Sequence, residues 1–197
     1  MSNKNHDLRQ VFLLTVIALA FGCVSAVRAD APHGWFLAGS KPSEFETGLD
    51  PGRAYLGHKT VYLKSKQLSV DGFGTLMQQF TAEQYLGKRV RLGALVKSQN
   101  VTEWAGLWVR VDSGRAVVAF DNLQSRPIKG TTEGRHYEVV LDVPKDATGI
   151  ALGILLTGPG EVWLNGAQFN VVGPEVAVTG SSNANTPDKP VNLDFDE

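Results

Sequence analysis

The sequence predicts an all-β protein, a sandwich of short antiparallel strands. Three observations predict it: apolar residues recur at every second position from Lys59 onward, turn residues break the chain at short intervals, and no long amphipathic helix intervenes. Val90, Leu92, Ala94 and Val96 alternate with Arg89, Arg91 and Lys97. Leu107, Val109 and Val111 alternate with Trp108, Arg110 and Asp112. Tyr137, Val139, Leu141 and Val143 alternate with His136, Glu138 and Asp142. Runs of this period put one face in a core and the other in water. Ile150 to Leu156 is apolar on both faces apart from Gly153, which reads as a central strand covered on both sides. Turns are expected at Asp71-Gly72, Leu86-Gly87-Lys88, Ser113-Gly114, Gly158-Pro159-Gly160 and Asn165-Gly166. One helical turn is expected over Thr81 to Leu86, with Thr81 as its cap and Gln84 three residues on.

The 197 residues suffice for one domain with a real core. Hydrophobic residues make up 43% and charged residues 20%, an ordinary globular balance. Lys+Arg is 19 against Asp+Glu at 20, so the basic surplus that neutralises phosphates is missing and no nucleic-acid partner is expected.

The N-terminus reads as a secretory signal peptide over residues 1–29. Lys4 and Arg9 are followed by an apolar run, and Val27-Arg28-Ala29 offers a cleavage site. A periplasmic or secreted protein follows, with no stable membrane span after cleavage. The sole cysteine, Cys23, lies inside that segment, so the mature chain is expected to hold no disulfide or zinc-thiolate site. The alternative is a lipoprotein modified at Cys23, against which bulky Phe21 argues. The domain is expected over residues 30–173, a flexible linker over 174–189 and a tail over 190–197. Val191, Leu193 and Phe195 alternate in that tail, so it reads either as a further edge strand or as disordered chain.

Leu76-Met77-Gln78-Gln79-Phe80, Tyr85 to Leu92, Ala105 to Val111, Phe120 to Thr131 and Gly160 to Asn165 together resemble a bacterial jelly-roll module. The module is similar to galactose-binding-like and carbohydrate-binding β-sandwiches, and related modules occur alone or appended to AraC-type transcription regulators. The resemblance runs from about Gly34 to Val172 and implies the fold more strongly than the ligand, because this architecture hosts many ligands. It implies no DNA binding, since no DNA-reading region accompanies the module. Some similar folds carry a structural calcium, often beside an acidic residue at the position of Asn165; asparagine there weakens that expectation. No cofactor is expected.

The candidate ligand-binding residues are Trp104, Trp108, Arg110, Asp121, Asn122 and Arg126. With a two-residue turn at Ser113-Gly114, Trp108, Arg110 and Asp121 share one sheet face. An aromatic, an arginine and an acid on one face suit a sugar, the ring stacking and the charges bonding hydroxyls. The alternative is an internal polar network with Trp108 buried. Asn122 and Arg126 sit in a stiff loop, either as binding groups or holding the loop, Arg126 through Asp121. Trp104 is read as a loop aromatic open to ligand, Trp163 as core and Trp35 as covering one end of the sandwich. His33, His58 and His136 lack metal-ligand spacing. Gly-x-Ser-x-Gly, His-Glu-x-x-His and phosphate-loop patterns do not occur, so no enzyme is expected. The reading is a non-catalytic binding module for a carbohydrate or other small polar ligand. The alternatives are an interaction protein that engages a partner by an edge strand or its tail, and a small hydrolase or lyase.

Overall fold

The computed structural model describes residues 31–55 and 58–182. The expected signal peptide with Cys23 and the expected tail strand lie outside them. Ten strands form: β1 (Phe36–Gly39), β2 (Phe45–Tyr55), β3 (His58–Ser65), β4 (Phe73–Thr81), β5 (Arg89–Ser113), β6 (Ala116–Asp121), β7 (Ile128–Asp142), β8 (Gly149–Thr157), β9 (Glu161–Val172) and β10 (Ser181–Ser182). The helical content of the described residues is two single 3-10 turns, Pro42–Glu44 and Glu83–Tyr85. The second falls where a helical turn is expected, but Ala82 starts it and no side chain caps it.

All pairings are antiparallel. The 25-residue β5 organises them. Its first half pairs with β7 and β9, and β9 continues to β3 and β2. Its second half pairs with β8 and β6, and β8 continues to β4 and β1. One strand thus belongs to two sheets and changes sheet near Asn100, a non-glycine residue at φ 53°. The register slips on both sides of it, between Ser98, Val101 and Ala105. Asparagine tolerates that left-handed conformation better than most residues.

The main core fills the space between the sheets. Leu76, Leu107, Val109, Ile154 and Leu156 enter from one side, and Val90, Leu92, Val139 and Leu164 from the other. Burying such side chains is worth roughly 1.5–3 kcal/mol each. The burial pattern of β5 follows from its double membership. Over Arg89–Ser98 buried and half-buried residues largely alternate, as period two predicts, while Ala105 to Val111 is buried throughout. The second stretch is covered on both faces because a smaller apolar cluster, Met77, Trp108, Ala151 and Leu155, lies on the far side of its sheet. The central strand expected at Ile150–Leu156 is β8, seated between β4 and β5 and buried along that whole stretch.

The segment expected to begin a flexible linker packs instead. Arg89 donates to the carbonyls of Pro174 and Val176 at 2.8 and 2.6 Å, and Thr179 bridges Val140 and Asp121. Val178 rests on the core and β10 adds to the edge of β6. Side-chain hydrogen bonds hold here what a low apolar content alone would leave loose.

Candidate functional site

The expected ligand face does not assemble as one unit. The β5–β6 turn is Gly114-Arg115 rather than Ser113-Gly114, because Gly114 takes φ 58° at the first turn position. A register shift follows between Val111 and Asp112. Arg110 therefore faces Phe120 and Asp121 faces Val109, instead of Val117 and Gly106. Direct cross-strand partners share a face, so Asp121 lies on the core side and Trp108 and Arg110 on the other.

Trp108 is 6% exposed, and its Nε1–H donates to Thr75 Oγ1 at 2.8 Å. Thr75 passes the bond on to the Ile154 carbonyl at 2.9 Å. Arg110 is 4% exposed and pairs with Asp112 through Nη2 at 3.0 Å. Trp104, expected in a loop, is instead a strand residue of β5 opposite Thr157, half-buried at the rim of the smaller cluster. Asp121 accepts from Leu123 N–H at 2.9 Å, Thr179 Oγ1 at 2.7 Å and Arg126 Nη2 at 2.6 Å. Arg126 thus clamps its loop through Asp121. Asn122 Oδ1 caps its own turn at Gln124 N–H, 3.1 Å away, while its Nδ2 is buried without a partner, as is Thr157 Oγ1. Trp163 is buried, with Nε1 donating to Asp50 Oδ2 at 3.1 Å. Asn165 is committed to Thr60 Oγ1 at 3.0 Å. Arg89 forms a two-pronged pair with Asp142, whose hydrogen bond holds the guanidinium above its ordinary pKa.

One recess lies between β4, the following 3-10 turn and β9. It is a cleft of about 300 Å³ lined by Trp35, Gln78, Phe80, Tyr85, Leu92, Leu152, Ala167, Gln168 and Phe169. Each wall has a local origin. Gln78 and Phe80 follow Leu76 on the inward face of β4. Tyr85 ends the 3-10 turn that follows, held by its N–H on the Ala82 carbonyl at 2.8 Å. The third wall comes from a bulge in β9. Leu95 pairs with Asn165 and Gly93 with Gln168, so an extra residue enters between them, and Gly166 absorbs it at φ 60°. The bulge places Phe169 opposite Leu92, facing inward.

The aromatic rings support one another. Phe80–Phe169 and Tyr85–Phe169 meet edge to face at 5.6 and 5.1 Å, and Phe80–Tyr85 stand 5.8 Å apart. This tilted geometry suits ring quadrupoles. All four aromatics are half-buried, above a floor of buried Leu92 and Leu152. Among the described residues, the amides of Gln78 and Gln168, the Trp35 Nε1 and the Tyr85 hydroxyl have no hydrogen-bond partner. The sequence places Trp35 at an end of the sandwich, and its local pattern does not show this site. The bulge that turns Phe169 inward is signalled in the sequence only by Asn165-Gly166.

A second recess, about 370 Å³, lies at the other end of β9 among Lys64, Lys66, Gln67, Asn100, Thr102 and Glu161. It holds no aromatic residue.

No protein-family model matches the chain. The chain is 45% identical over 170 residues to a Bacillus subtilis (strain 168) protein named "Uncharacterized HTH-type transcriptional regulator YbfP". The match takes in 83% of this chain and spans 57% of that relative's length. Among solved structures it is similar to the CBM22-1 xylan-binding domain of Paenibacillus barcinonensis Xyn10C, with TM-score 0.53, 10% identity, 75% of this chain and 91% of that one. It is also similar to the enzymatically active domain of tailspike protein 4 of bacteriophage CBA120, with TM-score 0.50, 14% identity, 71% of this chain and 20% of that one. At these identities the two structures show a shared fold.

Proposed function

We propose that this chain is an exported, non-catalytic jelly-roll module that binds carbohydrate in the Trp35–Phe80–Tyr85–Phe169 cleft. The observation that carries the reading is the set of half-buried rings around a small recess, with unpaired amides at its edge. A sugar ring offers an apolar C–H face and a rim of hydroxyls. Aromatic rings stack on the first, and amides, which both donate and accept, satisfy the second. The fold likeness to a xylan-binding domain supports the same class. Trp108, Arg110, Asp121 and Arg126 serve this reading as framework, since each is engaged with a neighbour in the chain. Export rests on residues 1–29, and mass spectrometry of the mature N-terminus should find Asp30.

The regulator name of the relative does not bring DNA binding with it. This chain spans little more than half of that protein, and the helices of the described residues are three residues long, too short to read a major groove.

A glycan-array screen of the purified protein tests the proposal. Saturable binding that Gln168→Ala weakens and Arg126→Ala leaves intact is expected. Folded protein that binds no glycan would refute it.

A further inference from the structure

We infer that the cleft is specific for an uncharged glycan, taken as a chain end or a short run of rings, and rejects acidic polysaccharides. This rests on the carbohydrate reading of the cleft and adds the ligand class.

The charge argument comes from the lining itself and from the strands and the turn around it. The nine lining residues include no Asp, Glu, Lys, Arg or His. Strands β4 and β8, which supply one wall and part of the floor, contain no charged residue along their whole length. The only charged residue of β9 is Glu161, at its far end from Phe169. On β5 the neighbours of Leu92 are Gly93 and Arg91. Alternation turns Arg91 to the opposite face, where it lies 3.8 Å from Glu138. Arg89 is held by Asp142 and the Pro174 and Val176 carbonyls. At the turn, Glu83 is exposed and Lys88 donates to the Gln84 carbonyl at 2.8 Å. Among the described residues, no Lys, Arg or His thus lines the cleft to meet a carboxylate or sulfate.

A buried anion without a partner is strongly disfavoured, whereas hydroxyls find compensation in amides. The unpaired Gln78, Gln168, Tyr85 and Trp35 groups supply donors and acceptors of no net charge. The recess between Lys64, Lys66 and Glu161 is the contrast within the same molecule: its lining carries charges and no aromatic ring.

Size sets the length of the ligand. About 300 Å³ stands at the lower end of the roughly 300–1,000 Å³ typical of small-molecule sites. Leu92 and Leu152 close the floor on the main core, so the recess itself has room for a ring or two.

The test is calorimetric titration of the purified protein with neutral oligosaccharides of increasing length and with galacturonate oligomers, each at low and high salt. Neutral oligosaccharides should bind with an affinity insensitive to salt that stops rising at short length. Gln168→Ala, at an exposed position, should weaken binding about tenfold, and Tyr85→Phe, which keeps the ring, should do the same; tenfold is roughly 1.4 kcal/mol. Salt-dependent binding of the acidic oligomers would overturn the charge argument and leave the carbohydrate reading standing. Affinity that keeps rising with chain length would overturn the size argument. Neutral binding untouched by both substitutions would overturn the cleft as the site. Folded protein that binds neither class would overturn the carbohydrate reading itself.

Discussion

Replacing Asp121 by alanine should destabilise the domain without changing what it binds. Three donors converge on this carboxylate, which is 7% exposed. The Leu123 N–H, 2.9 Å away, belongs to a residue buried among core side chains and would lose its partner. A buried donor left unsatisfied costs about 1–3 kcal/mol. The Thr179 hydroxyl keeps a second acceptor in the Val140 carbonyl, so its loss is smaller. The Arg126 side chain is 38% exposed and rehydrates, so its pair contributes about 0–1 kcal/mol. The expected total is about 2–4 kcal/mol, read as a shift of the urea midpoint at constant slope. Arg126→Ala should cost no more than about 1 kcal/mol in the same assay. An Asp121→Ala protein within about 0.5 kcal/mol of the parent, yet impaired in glycan binding, would refute the framework role and return Asp121 to a ligand site.

Trp108→Ala should cost about 3–5 kcal/mol in the same titration, because it empties a buried aromatic site and removes the donor to Thr75 Oγ1; a cost below about 1 kcal/mol would mean that the ring is not packed as described. Gly106→Ala should destabilise by about 1–3 kcal/mol, since its Cβ would meet the Asn122 carbonyl oxygen at 2.5 Å and Leu123 Cβ at 2.9 Å; thermal unfolding unchanged from the parent would contradict that close approach. Gly166→Ala meets nothing within 4 Å, so only the left-handed backbone counts, roughly 1–2 kcal/mol, and glycan affinity should fall with it as the bulge shifts. Arg89→Ala should expose residues 174–180 to limited proteolysis while the sandwich stays intact, because two carbonyls of that segment bond to its guanidinium.

The all-β class, the sequence neighbourhood of most strands and the burial of Trp163 were legible in the sequence. Each depends on side chains two positions apart, a relation that the chain carries locally. The site was less legible. Trp108 and Arg110 share a face with Asp121 only in the hairpin register that a Ser113-Gly114 turn would set, and Trp104 falls in a loop only if β5 starts after it. Moving the turn one residue on, with a register shift behind it, sent Asp121 to the opposite face. Nothing local in the sequence says that Phe80, Tyr85 and Phe169 meet.

By itself, then, the sequence determined the strand period, the near-neutral charge and the absence of a charged residue from Phe73 to Thr81 and from Gly149 to Thr157. Only the tertiary structure decided where those uncharged strands meet the β9 bulge and leave a recess. The reason is one of range. Alternation acts over two residues, whereas the cleft brings Trp35, Gln78, Tyr85 and Phe169 together from four separate parts of the chain. A one-residue bulge at Gly166, invisible to the period on either side of it, turns the last of them inward.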